Sequence, residues 1–273
     1  MRAAFRQDGF VTQVPILSSG ALRRARAWVA DLEGRRGDGM LQPQEVNLHL
    51  RGERQAWELA SHPRVVELAR DLLGVADMFC MSTTLFTKYP AQRAGPKRVG
   101  WHQDVLHWNL QPPEVINVWL ALDDADEDNG CMRVVPRSHL RGLLPHRHDP
   151  DDEHNVLMGF QDIDEHNVLG LDAESGAPAV SLPLRAGECC VHDGFTVHGS
   201  APNASASRRR CGFTAQYMPA HVHVGEDEYR ALDKTHNDGD NDDEDDWRRP
   251  VLVAGVDRHN VNDARKLPVP VFS

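Results

Sequence analysis

His102 and Asp104 stand two residues apart in Trp101-His-Gln-Asp104, and a further histidine, His198, follows in the second half of the chain. Two imidazoles and one carboxylate can hold iron(II) on one triangular face while leaving positions open for small molecules. Residues two apart on a strand project to the same side, so His102 and Asp104 can chelate one ion together. The spacing alone is weak: the chain has 15 histidines, and His236-Asn-Asp238 repeats it. Context separates the two. His236 lies in an acidic, apolar-poor run where no strand would hold it, whereas His102 follows Trp101 in strand-like sequence. The alternative for His102 and Asp104 is a solvated strand-end pair.

The segment Ala186–Asn203 (AGECCVHDGFTVHGSAPN) runs from a turn through a strand to His198. The next strand, RRCGFTAQYM, opens on arginines. An arginine there can meet a carboxylate through a bidentate fork. Three stand together, Arg208, Arg209 and Arg210, and a solvated basic turn accounts for two of them.

The elements that must position these residues are legible in outline. Ser19 is a plausible N-cap for a helix to Glu33, with Leu22, Ala25, Trp28, Val29 and Leu32 on one stripe. A helical stretch from Arg54 to Leu73 is broken by Pro63 and closed by Gly74. From Met78 the pattern turns strand-like: Met78–Tyr89, Trp101–Val105, Val115–Leu122, Met132–Val135, Val180–Leu184, Glu188–His192 and Cys211–Met218, punctuated by Gly and Pro. Helices followed by short strands predict a mainly β sandwich or barrel with an N-terminal helical layer. Residues 141–178 show little periodicity and are expected to form a mobile lid. Residues 225–249 read as an acidic, solvated excursion within a single domain spanning 1–273.

Composition bounds the function. The formal net charge is −11, much of it in Asp238–Asp246, which argues against a nucleic-acid partner. No apolar run approaches a membrane span, and the N-terminus lacks a signal-peptide core. Five cysteines without zinc-type spacing predict buried free thiols in a reducing cytoplasm.

At this point the chain resembles the phytanoyl-CoA dioxygenase family over roughly residues 8–220. The resemblance rests on Asp8-Gly-Phe10, Trp101-His-Gln-Asp104, Asn129-Gly-Cys-Met-Arg-Val-Val-Pro-Arg-Ser-His139, and His198-Gly-Ser-Ala-Pro-Asn203 with Arg209. It implies a double-stranded β-helix (jelly-roll) core and an oxygenase using Fe(II), 2-oxoglutarate and O2. By the same resemblance, His102, Asp104 and His198 would be the iron ligands. Arg209 would pair with the far carboxylate of 2-oxoglutarate, and Ser200, Trp119 and Thr84 would line the co-substrate pocket. His139, Trp108 and Gln103 are candidate substrate contacts. Arg137 departs from the family, where glycine is usual.

The expected reaction hydroxylates an unactivated C–H bond of a small molecule, releasing succinate and CO2. Family-like halogenases carry a small residue where Asp104 stands, so the carboxylate favours hydroxylation. Basic loops at Arg93–Arg98 and Arg133–His148 suggest an anionic substrate, against the plainer reading of solvated loop charges. Two rival functions are a non-enzymatic metal- or ligand-binding barrel and a cupin-like isomerase. The latter usually needs more histidine ligands, and nothing in the sequence groups three on neighbouring strands; His221 and His223 are expected to face solvent.

Overall fold

The computed structural model describes residues 1–147, 151–157, 163, 168, 178–225, 250–262, 264 and 267. In chain order the helices are α1 (Arg2–Asp8), α2 (Ser19–Gly34), α3 (Arg54–Ala60), α4 (Pro63–Leu73) and α5 (Ala91–Ala94). The strands are β1 (Phe10–Pro15), β2 (Gln44–Val46), β3 (Met78–Lys88), β4 (Val99–His102), β5 (Leu110–Gln111), β6 (Ile116–Ala121), β7 (Met132–Val134), β8 (Val180–Leu182), β9 (Glu188–Asp193), β10 (His198–Ser200), β11 (Arg210–Pro219), β12 (His223–Val224) and β13 (Val251–Ala254).

Two antiparallel sheets make the core. The larger runs β1-β9-β6-β11-β3-β13, with β2 also paired to β3; the smaller runs β4-β10-β7-β8. Because side chains alternate across a strand, the larger sheet has two unlike faces. Ile116, Val118, Leu120, Cys189, Val191, Cys211, Phe213, Ala215 and Tyr217 share one apolar cluster with the helices. The opposite positions, Asn117, Trp119, Arg210, Thr214 and Gln216, face the interior between the sheets. The chain thus has the mainly β jelly-roll core with a helical layer that its sequence suggests.

The helices form for the expected reasons, with small shifts. Ser18, not Ser19, caps α2: its Oγ accepts from Ala21 N at 3.2 Å. Pro63 begins α4, and Gly74 ends it in the left-handed conformation. The helices bury Ala25, Trp28, Val29 and Leu32 from α2, and Val65, Leu68, Ala69 and Leu72 from α4.

Two readings need correction. The first third is not all helical, because β1 and β2 add strands to the larger sheet, β1 against β9. Such short strands take their stability from the ladder they join, which local pattern does not reveal. Met218 is not the end of the strands either: past the acidic stretch the chain returns as β13, and Val251 pairs with Cys80. The expected lid over 141–178 lies largely outside the described residues, but parts of it are placed. Arg98 N donates to His154 O and Val156 N to Arg98 O, both at 2.8 Å, and Arg98 pairs with Asp152. Ile163 and Val168 are buried against Val135 and Val197. Residues 148–150, 158–162, 164–167, 169–177 and 226–249 lie outside those described.

All five cysteines are free and buried, as expected. No helix among the described residues is long and apolar enough to cross a membrane.

Candidate metal centre and co-substrate pocket

His102 ends β4, and Asp104 opens the short 3-10 turn that follows. Gln103 between them is extended (φ −123°, ψ 129°), so strand alternation persists through it and both side chains face inward. His198 begins β10, directly opposite His102 in the antiparallel register. One ligand atom from each of the three lies within 4.8 Å of the others, and all three are buried.

The hydrogen bonds around them fix the donor atoms. His102 Nδ1–H donates to Gly100 O at 2.8 Å, and His198 Nδ1–H to Thr196 O at 3.0 Å. Each ring therefore turns its Nε2 toward Asp104 Oδ1, at 3.5 and 3.8 Å. Asp104 uses its other oxygen elsewhere: Oδ2 accepts from Asn117 Nδ2 at 2.8 Å and His192 Nε2 at 3.0 Å. Burial alone would raise the Asp104 pKa, but His198, His102 and His192 hold it well below the usual range. Burial, with His102 and His192 alongside, pushes the His198 pKa well down. Two imidazoles and one carboxylate, each with its second atom already engaged, form a donor set that fits a divalent iron ion.

His192 was missed. Its ring centroid lies 4.1 Å from that of His198, so the structure groups three histidines where the sequence suggested two. Alternation through Cys190 and His192 on β9, with the odd positions in the apolar core, is the signal that could have found it.

A second cluster lies further along the interior. Arg210 and Lys88 pair across β11 and β3, and both are buried. Lys88 Nζ donates to Ser200 Oγ at 2.6 Å, Ala201 O at 2.6 Å and Ser200 O at 3.1 Å. Arg210 donates through Nε and Nη2 to Gly130 O at 3.0 and 2.8 Å, and through Nη2 to Ser200 Oγ at 3.1 Å. Its guanidinium lies 5.2 Å from the Trp119 ring centroid. Every one of these acceptors is neutral; no described carboxylate pairs with either cation. Burial drives the Arg210 pKa down to about 10 and that of Lys88 well below its usual value. An unpaired buried cation costs several kcal/mol, of order, even after relaxation.

The Asn129-Gly130 turn supplies the carbonyl that holds Arg210. Gly130 is left-handed (φ +78°), and a Cβ there would collide with Ala201 O. Gly212 leaves room for the Trp119 indole, which a Cβ would penetrate. Thr84 and Trp119 flank Thr214 in the β-ladder, and the buried Thr214 Oγ1 has no partner.

Arg209 does not belong to this pocket. It shares the parity of Cys211 and Phe213, and so sits on the helix side of the sheet. There it pairs with Glu33 Oε1 at 2.7 Å and Asp123 Oδ2 at 2.8 Å. Burial works against its charge, but Asp123 and Glu33 hold its pKa above the usual value. Arg208 pairs on the surface with Asp126 and Asp128. The inward arginine is Arg210, one residue later than the sequence comparison placed it.

The candidate substrate contacts are also redistributed. Gln103 is fully buried and structural: Nε2 donates to Gly142 O and Phe195 O, and Oε1 accepts from Leu144 N. His139 Nε2 donates to Arg6 O, and the ring packs on Gly9. Trp108 is half-buried against the apolar cluster of Phe79, Met81, Val105 and Met218 that closes this end of the interior. Among the basic-loop residues, Arg93 stacks on Tyr89, Arg133 lies over Trp101 and Arg98 pairs with Asp152. His221 and His223 are exposed, as expected.

The sequence model of the phytanoyl-CoA dioxygenase family matches residues 5–211. A probable phytanoyl-CoA dioxygenase of Caenorhabditis elegans is 27% identical over 174 residues, covering 62% of this chain and 53% of that protein. The chain thus spans about half the length of the curated relatives it matches. Among solved structures, the epimerase SnoN in complex with Fe3+, alpha ketoglutarate and nogalamycin RO is 26% identical. It has a TM-score of 0.67 and covers 87% of this chain and 90% of its own. The non-heme monooxygenase ThoJ is 25% identical with a TM-score of 0.68, covering 97% of this chain and 86% of its own.

Proposed function

The chain belongs to the phytanoyl-CoA dioxygenase family, and from that we propose that it is an Fe(II)- and 2-oxoglutarate-dependent oxygenase that hydroxylates a C–H bond of a small molecule. The observation that carries the reading is the buried pair Arg210 and Lys88, which has no carboxylate partner among the described residues and shares Ser200 as a hydrogen-bond acceptor. Ser200 stands two residues beyond His198 on β10, roughly 6.6 Å along the strand. A dianion reaching from the metal centre to Arg210 would set its far carboxylate between the two cations, where both could donate to it.

In this reading His102 Nε2, Asp104 Oδ1 and His198 Nε2 hold iron. Arg210 and Lys88 fix the far carboxylate of 2-oxoglutarate, Ser200 Oγ orients between them, and Trp119 walls the pocket with Thr84 and Thr214 nearby. Iron with its co-substrate supplies the oxidising chemistry: 2-oxoglutarate is decarboxylated to succinate while one oxygen atom of O2 is delivered to the substrate. The chain contributes the rest. Gly100 O and Thr196 O keep each imidazole in the tautomer that presents Nε2. Asn117 and His192 hold Asp104 in one rotamer, and the apolar cluster around Phe79, Met81 and Trp108 keeps water from that end. A small-molecule substrate, no nucleic-acid partner and a cytoplasmic location complete the proposal, supported by the net negative charge and the free buried thiols.

The test is succinate release from 2-oxoglutarate by the full chain, with and without Fe(II). Release that requires Fe(II) and O2 supports the reading. Tight iron binding with no consumption of 2-oxoglutarate would favour the metal-binding barrel instead.

A further inference from the structure

One row of the interior wall crosses three strands of the larger sheet. Asn117 on β6 pairs in register with His192 on β9 and with Gln216 on β11. All three are buried, with relative exposures of 5%, 1% and 4%. Each carries a buried polar atom without a partner: Asn117 Oδ1, His192 Nδ1 and Gln216 Oε1.

Asp104 orients two of these residues. Because that carboxylate only accepts, Asn117 must turn its NH2 group toward it, which leaves Oδ1 on the other side. His192 likewise donates from Nε2 to that carboxylate, which leaves Nδ1 as the ring nitrogen without a partner. Asn117 therefore offers an acceptor, and Gln216 stands beside it with a second unpartnered oxygen. Buried polar atoms left unmatched lose their hydration for nothing in return, so three in one row are unusual for a purely structural wall. The row is also separate from the cation pair. Arg210 lies six residues back along β11, with Gly212 and Thr214 as the inward positions between. 2-Oxoglutarate, whose oxygens all accept at neutral pH, is the wrong partner for acceptors.

We propose that the row Gln216–Asn117–His192 receives a hydrogen-bond donor of the organic substrate, which is therefore a hydroxyl- or amine-bearing small molecule. The inference rests on the oxygenase reading and deepens it. The site discriminates against a plain hydrocarbon chain and against a group with acceptors only, such as a carboxylate or phosphate. It also couples substrate to metal, because Asn117 and His192 meet the substrate on one side and Asp104 on the other.

Two measurements on the full chain test this. The first is succinate release with Fe(II), 2-oxoglutarate and matched probes of four to eight carbons: straight-chain hydroxy acids and amino acids, each against the unsubstituted acid. Stimulation confined to donor-bearing members is expected; unsubstituted acids stimulating equally would overturn the proposal. The second uses Gln216→Met, which keeps the volume and removes the amide. Thermal unfolding of the Zn(II)-loaded chain without substrate is expected to shift upward, because an unmatched buried amide has gone. The ratio of stimulated to unstimulated succinate release is expected to fall at least tenfold. A lowered Tm would show that the amide serves packing and would overturn the proposal, as would an unchanged ratio. A wild-type chain releasing no succinate under any condition fails the oxygenase reading itself, whereas release stimulated without regard to donors fails this one alone.

Discussion

Replacing Arg210 and Arg209 separately by Ala gives opposite expectations, and the difference comes from one residue of strand parity. Arg210 is buried, its charge unmatched by any described carboxylate. Removing one member of a buried charge-assisted pair with a bound carboxylate costs about 2–5 kcal/mol. Lys88 remains on the same anion, so about 3 kcal/mol is the working figure, which at roughly 1.4 kcal/mol per tenfold is a rise of about a hundredfold in the 2-oxoglutarate requirement. Stability without co-substrate should change little, because the lost hydrogen bonds are offset by the lost burial of a lone cation. Arg209→Ala instead removes the cation shared by Glu33 and Asp123, both mostly buried, leaving Tyr89 on Glu33 and Cys211 N with Arg26 on Asp123; it is expected to cost about 1–3 kcal/mol of stability with the co-substrate requirement unchanged. The assay is succinate release against 2-oxoglutarate concentration, with a urea titration of each variant alongside. A large rise in the requirement for Arg209→Ala but not for Arg210→Ala would refute the parity argument and the pocket built on it.

Gly212→Ala should displace the Trp119 indole and raise the 2-oxoglutarate requirement about tenfold or more, with Fe(II) affinity read separately by fluorescence competition. Arg137 holds a left-handed conformation (φ 66°) where the family usually has glycine, so Arg137→Gly should stabilise the fold by about 1 kcal/mol in denaturant titration. With Asp104 filling one ligand position, product mass from turnover in chloride-rich buffer should show oxygen insertion; a dominant chlorinated product would contradict it. Burial pushes the Cys190 and Cys211 thiols from 9.0 up to about 12. The stability they contribute is thus full below about pH 9 and lost as pH rises toward 12, because the unfolded chain releases those protons first. Alkaline unfolding should therefore be later in Cys190→Ala/Cys211→Ala, measured relative to each protein's own neutral-pH stability.

The metal centre was legible because its residues sit close in sequence or in a distinctive run: His102 and Asp104 two apart, and His198 after a strand. The arginine was harder to place: the family resemblance points to Arg209, whereas the strand parity of the fold turns Arg210 inward. The parity was there to be read: Phe213 and Tyr217 alternate with Thr214 and Gln216, and Arg210 belongs to the polar set. The usual sense, polar out and apolar in, is reversed here, because the outer face of the larger sheet is covered by helices and the inner face lines a polar site. Lys88 and His192 were harder to see. Their roles depend on ladders that join β3 to β11 and β6 to β9, and long-range pairing leaves no local trace. Gln103 was misjudged for the same reason: its partners, Gly142, Leu144 and Phe195, are distant in sequence and meet it only in the fold.

His102 and His198 belong to the smaller sheet, while Asp104 is gripped through its second oxygen by Asn117 and His192 of the larger one. An ion bound at that point is a rivet between two plates. Its occupancy and the cohesion of the sandwich are then one equilibrium: a metal at a hundred times its dissociation constant adds about 2.7 kcal/mol against unfolding. The thermal midpoint of this chain should climb with the logarithm of free metal concentration, so that a melting curve recorded after chelation and one recorded in saturating metal report on two differently fastened molecules.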